Sequence, residues 1–243
     1  MENDSPEMRK LNRLLAEKQK LSQQAAGHRS RLKERYQKYG AGGLPNHEFL
    51  ELLLTYAIPR KDVKPLAKDL LAQFESIAGI INATPQELKS ISGIGDSTVI
   101  LFQLFRDLYS KYLEEDLKIR NFLSLETVQE LIRLTLGSSP TEKLCVLFFA
   151  ASNNMVGSWT FEGGPDCLLV RCREIFAKAI SLNADKIVVA HNHPSGKMEP
   201  SEEDMLFSEK LERMAETIEI SLLAHFLVGK TSCINILNRL IPD

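Results

Sequence analysis

Two histidines, His191 and His193, stand where the apolar run Ile187-Val188-Val189-Ala190 gives way to Pro194, Ser195 and Gly196. Side chains two positions apart on a strand point to the same side, so both imidazoles can converge on one point at the strand's end. Pro194 and Gly196 then turn the chain, and Pro200-Ser201-Glu202-Glu203-Asp204 opens a helix with Asp204 in its first turn. Ser201 and Asp204 alone make an ordinary capping pair, which is compatible with Asp204 also coordinating an ion. An isolated His-x-His needs no metal; joined to a helix that folds back with a carboxylate, it is a much less accidental combination. Two neutral imidazoles and a carboxylate, with one coordination position left open, suit a catalytic zinc ion. The water on such an ion needs a base, and Glu142, at the start of the apolar run Leu144–Ala150, is the candidate.

These residues need a sheet to carry them, and the second half of the chain supplies the pattern for one. Strands are expected at 144–150, 155–161, 167–170, 187–190 and 219–228, with helices at 124–136, 173–182 and 201–217. Strand and helix in alternation read as α/β. The first half has no such alternation. Leu11, Leu14, Leu15, Leu21, Ala25 and Leu32 recur at helical spacing, Gly27 interrupts them, and Gly40–Gly43 reads as a flexible break. Short helices follow, among them 85–90, which Thr84-Pro85-Gln86-Glu87 opens as a capping box. Another runs from a cap at Asp96 to about Tyr112, and the charged stretch 114–120 reads as a linker. The expected organisation is therefore a basic amphipathic helical arm over 1–40, a helical domain over 41–117 and an α/β domain over 118–243.

Composition narrows the function. The 243 residues are 44% hydrophobic and 26% charged, ordinary for a globular chain of one large domain or two small ones. A net charge of -2 argues against a surface built throughout to hold a polyanion, but residues 1–40 carry a local net of +5. The first residues are polar and no apolar run nears the ~20 residues a membrane helix needs, so a cytoplasmic protein without membrane association is expected. Cys145, Cys167, Cys172 and Cys233 show no CxxC spacing and are read as idle thiols.

The motif residues also carry a resemblance. His191-x-His193-Pro194, six residues, Ser201, two residues and Asp204 resemble the JAMM (MPN+) metalloprotease signature, whose upstream acidic residue corresponds to Glu142. More narrowly, His191-Asn-His-Pro-Ser-Gly196 before Pro200-Ser-Glu-Glu-Asp204, with Arg173-Glu-Ile-Phe176 and Leu182-Asn-Ala184, is similar to the bacterial DNA repair protein RadC family. Gly27–Leu32, Leu52–Arg60, Lys64–Lys68 and Gly93-Ile94-Gly95 resemble that family's N-terminal region, so the similarity covers roughly 27–240. The resemblance implies an all-α helix-hairpin-helix N-terminal domain followed by a cytidine deaminase-like, JAMM (MPN+) α/β domain with a mixed sheet. It implies that His191, His193 and Asp204 hold zinc, that Glu142 is general base and then general acid, and that Ser201 donates to the oxyanion. The chain departs from the family where Asp-His is usual and Ala224-His225 stands here, which bears on metal affinity. His225 is read as a buried, satisfied histidine or as a partner of the metal site.

Ser92-Gly93-Ile94-Gly95 between two helices resembles a DNA-binding hairpin, in which glycines let the backbone approach a phosphate. Asp96 stands where such hairpins often carry a basic residue; Arg29 and Arg31 add positive charge. Weak, salt-dependent, sequence-independent DNA contact is the expectation for Gly93, Ile94, Gly95, Arg29 and Arg31. Three functions are open: a zinc-dependent hydrolase of an amide or isopeptide bond in a peptide or protein, a non-catalytic DNA-binding accessory protein, and a metal-dependent nuclease. Two histidines and one aspartate fit one zinc better than the paired hard cations of many nucleases. Oligomeric state stays open.

Overall fold

The structure, a computed structural model, describes residues 6–59, 61–120, 124–162 and 172–237. The strand expected at 167–170, Cys167 and Arg60 lie outside the described residues. The chain divides into two compact units, Met1–Gln103 and Leu104–Asp243.

In the first unit, α1 (Pro6–Tyr39) is one helix through Gly27, where an interruption was expected. One helical glycine costs only about 1 kcal/mol, less than breaking and recapping the helix costs. Gly40–Gly43 is likewise no flexible break: Ala41–Gly43 form a 3-10 turn. Its closure needs glycine, because a Cβ on Gly43 would lie 2.4 Å from that of Tyr39. The helices α2 (Asn46–Ala57), α3 (Lys64–Phe74), α4 (Ile77–Ile81) and α5 (Pro85–Lys89) follow, and α5 starts on the expected capping box of Thr84 and Glu87. Leu50, Leu54, Leu66, Leu70, Ile80, Leu88, Val99 and Phe102 form this unit's core.

The helix α6 spans Asp96–Ile119, so the stretch 114–120 is helical almost throughout rather than a linker. Its charges are arranged to support a helix: Lys118 pairs with Glu114 at 2.7 Å and Arg120 with Asp116 at 2.6 Å, each four residues apart. Leu113 and Leu117 meanwhile face an apolar core.

The second unit continues through α7 (Leu125–Leu136), β1 (Lys143–Phe149), β2 (Met155–Glu162), α8 (Cys172–Ser181), β3 (Lys186–Asn192), α9 (Glu202–Thr217), β4 (Ser221–Val228) and β5 (Cys233–Asn235). These strands form one mixed sheet in the order β2-β1-β3-β4-β5. Only β3 and β4 pair in parallel; β1 is antiparallel to both its neighbours, as β5 is to β4. One face packs on α7 through Val146's neighbours Cys145 and Leu147, with Val188, Ala190, Ala224 and Phe226. The other face packs on α8 and α9 through Val146, Phe148, Ile187, Val189, Phe176, Phe207 and Leu211. Burial on both faces explains why β1 and β3 read as continuous apolar runs. Trp159 and Phe161 pack within the second of these layers, their rings tilted at 49° with centroids 3.8 Å apart. The described thiols are free; burial pushes those of Cys145 and Cys233 up to about 11, in keeping with idle groups. Among the described residues no helix is long and apolar enough to cross a membrane.

Candidate metal centre

The centre forms where β3 ends and α9 begins. Leu144 of β1 pairs with His191 of β3, and continuing that antiparallel register sets Glu142 across from His193 on the same face. Ser201 caps α9: its Oγ accepts from the Asp204 N–H at 3.1 Å, while the Ser201 N–H and hydroxyl each donate to Asp204 Oδ2 at 2.8 Å. The capping box thus aims the Asp204 carboxylate back toward the strand end. Ligand atoms of His191, His193 and Asp204 all lie within 4.8 Å of one another, and of the three only His193 is partly exposed.

A buried chain of hydrogen bonds sets the tautomer of His191. Ser208 Oγ donates to the Asp204 carbonyl at 2.7 Å and therefore accepts from His225 Nδ1–H at 2.5 Å. His225 then presents a bare Nε2, which accepts from His191 Nδ1–H at 3.0 Å. Burial keeps the His225 ring neutral, well below the ordinary histidine value; His191 acts the same way and Asp204 opposes. On the other side, His193 Nδ1–H donates to the Lys197 carbonyl at 3.0 Å. With each Nδ1–H engaged in this way, both rings turn Nε2 on Asp204, at 3.0 Å from Oδ1 for His191 and at 3.2 Å from Oδ2 for His193, the latter within hydrogen-bond geometry.

That arrangement fits a cation. His191 Nε2 is buried with no hydrogen-bond partner, its approach to Oδ1 not being aligned as one. Two ring nitrogens and a carboxylate turned on one point are the donor set of a divalent ion with borderline-soft preferences, which would also engage the partnerless His191 nitrogen. Asp204 stays ionised: burial alone would raise its pKa, but His191 and the two bonds from Ser201 outweigh burial and hold it below the usual carboxylate range. Beside this group, Glu142 Oε1 is buried without a partner. Burial pushes its carboxyl up, Asp204 adds to the rise, and His191 and His193 oppose it.

The sequence-expected residues His191, His193, Asp204, Ser201 and Glu142 therefore come together. Ala224 does not join them; it packs on the α7 face of the sheet, away from the histidines. His225 does join, through its bond to His191, and the pairing of β3 with β4 is what turns it there. Ile187 pairs with Leu222 but Val188 with Ala224, so an extra residue in β4 reverses the alternation and turns His225 to the side of His191. Ser208 and Asn192 also serve the site and were not singled out from the sequence; for Asn192 the signal was its place between the two histidines.

In the first unit, Ser92–Gly95 joins α5 to α6, with Gly93 at φ 98°, a conformation that favours glycine. Ile94 is 9% exposed and belongs to the core. Gly95, not Asp96, occupies the N-cap of α6, its carbonyl accepting from Thr98 and Val99 N–H. Asp96 begins the helix proper and pairs with Lys89 at 2.6 Å; that hydrogen bond and charge lower its pKa. The Arg29 guanidinium donates to the carbonyls of Pro59, Ile58 and Lys61, closing the end of α2. Arg31 is exposed.

Residues 122–239 match the family described as RadC-like JAB domain, and residues 24–100 match the one described as UPF0758 N-terminal. A UPF0758 protein of Fusobacterium nucleatum is 34% identical over 225 residues, covering 88% of this chain and 96% of its own. A UPF0758 protein of Pasteurella multocida is 32% identical over 82% of this chain and 89% of its own, and one of Ralstonia pickettii 32% over 82% and 90%. With an N-terminal region and a JAB domain both matched, and relatives aligned over most of their lengths, the chain belongs to the UPF0758 family of RadC-like proteins.

Proposed function

We propose that the second unit is a zinc-dependent hydrolase that cleaves an amide or isopeptide bond in a peptide or protein. The observation that carries this reading is the convergence of two imidazole nitrogens and a carboxylate beside Glu142, a partly buried acid whose Oε1 is buried without a hydrogen-bond partner. A purely structural ion has no use for such an acid. Zinc, when held by His191, His193 and Asp204, supplies Lewis acidity and an acidified water. Glu142 takes the proton from the attacking water and passes it to the departing nitrogen, so one O–H and one C–N bond break as C–O and N–H form. The Ser201 hydroxyl, now on Asp204 Oδ2, turns to the developing oxyanion while its backbone N–H keeps the carboxylate in place.

The helical region 41–117 and the arm 1–40 would serve as the recruiting part, held to DNA weakly through the Gly93–Gly95 turn and Arg31. With Arg29 occupied by carbonyls and Asp96 neutralised by Lys89, such binding is expected to be weak and to fall steeply with salt. The first test is metal content by mass spectrometry of protein purified without chelator or affinity metal. About one zinc per wild-type chain and almost none in His193→Ala is expected from the three-ligand site. Zinc-loaded protein should then cleave a fluorogenic isopeptide library and leave labelled plasmid intact with Mg²⁺, Mn²⁺ or Zn²⁺. Plasmid nicking would establish the nuclease instead, and a chain that takes up no zinc would leave the non-catalytic DNA-binding accessory.

A further inference from the structure

We infer that Asn192 is a positioning residue that holds Glu142 in register with the metal ligands; the inference rests on the reading of Glu142 as the base. Asn192 lies between His191 and His193 but projects from the opposite side of β3, and it is 2% exposed. Its Oδ1 accepts from the Lys143 N–H at 2.9 Å, and its Nδ2 donates to the Thr141 carbonyl at 3.2 Å and the Ser139 carbonyl at 3.4 Å. The Thr141 carbonyl belongs to the peptide that enters Glu142, and the Lys143 N–H to the peptide that leaves it. A single carboxamide thus grips the backbone on both sides of the base.

Glu142 precedes β1, which begins at Lys143, and its own Oε1 has no hydrogen-bond partner to orient it. The direction of its side chain is therefore set by the backbone that Asn192 holds. The partners also determine the amide's orientation, since an N–H needs an acceptor and two carbonyls need donors. Aspartate, with the same shape, offers no donor and would set charge against two carbonyl oxygens. Because Asn192 is part of the same strand end as both histidines, ligands and base move as one unit, which is what a sub-ångström proton-transfer geometry requires.

The test compares the cobalt(II)-loaded wild type with Asn192→Ala, the isosteric Asn192→Asp, Glu142→Gln and the double variant Asn192→Ala/Glu142→Gln. Readouts are metal stoichiometry and affinity, and the visible absorption envelope, which responds to the group beside the ion. The expected result is one cobalt per chain in every protein, with affinity for Asn192→Ala within about threefold of wild type, below the 10–100-fold that loss of a ligand's own hydrogen-bond partner costs. The envelope of Asn192→Ala should shift toward that of Glu142→Gln, and the double variant should match Glu142→Gln alone, because Asn192 acts through Glu142. If Asn192→Ala fails to fold, Asn192→Asp carries the same comparison. A wild-type envelope in both Asn192 variants, or shifts that add fully to that of Glu142→Gln, would overturn the inference alone. A wild type that takes up no cobalt would remove the metal-site reading and the inference with it.

Discussion

Glu142→Gln should keep one zinc per chain and lose about 10²–10⁴-fold in turnover, the usual worth of a placed general base. Glutamine has the same shape, so the backbone grip of Asn192 and the ligand set of His191, His193 and Asp204 are untouched. What disappears is the ability to accept a proton. Measuring zinc content and single-turnover cleavage on the same preparation separates the two effects, and unchanged turnover would eliminate Glu142 as the base. The same variant has a signature in the metal-free protein. Burial raises the Glu142 carboxyl above the ordinary glutamate value of 4.5, so the folded state there holds a proton that the unfolded chain releases. Its stabilising contribution is complete below the unfolded value and is lost as pH rises through the folded one. Metal-free Glu142→Gln should therefore gain in Tm relative to wild type between acid and neutral pH, read by thermal scans at both. A difference that does not change with pH would mean that the buried carboxyl carries no such cost.

His225→Ala should weaken zinc binding by about 10–100-fold, as loss of an outer partner of a ligating histidine does. The cause is local: without His225 Nε2, the His191 Nδ1–H has no acceptor in a fully buried position, and the ring is free to turn or change tautomer. The substitution also leaves a void beside Phe207, whose ring meets that of His225 edge-on at 5.6 Å. Unpaired polar groups and the void together should cost about 2–4 kcal/mol of stability. His225→Phe separates the contributions by filling the void without restoring the acceptor, so its metal affinity should stay low while stability partly recovers. Zinc affinity by chelator competition and stability by urea unfolding read the two quantities. Wild-type affinity in His225→Phe would show that His191 needs no acceptor.

Much of the centre was legible in the sequence. Period two on a strand puts His191 and His193 on one side, a serine three residues before an acid caps a helix, and the short connection returns Asp204 to the strand end. Those are local rules, and local rules survive folding. Linker and break readings failed for a related reason: charge and glycine are permissive, so pairs four residues apart kept 114–119 helical and one tight turn absorbed Gly40–Gly43.

The relation of one strand to its neighbour is not local. Alternation along β4 says only that Ala224 and His225 face opposite ways; which of them meets His191 depends on the extra residue in the pairing of β3 with β4. That slip exchanges the two faces beyond it, placing Ala224 in the apolar layer and His225 against His191. Likewise Asn192 reads as a spacer until β1 is laid beside β3 and its carboxamide meets the peptides of Glu142. Sequence by itself determined which groups could do the chemistry, because residue type and short-range period define them. Only the tertiary structure decided which groups orient them, because register between strands is set by packing on both faces of the sheet.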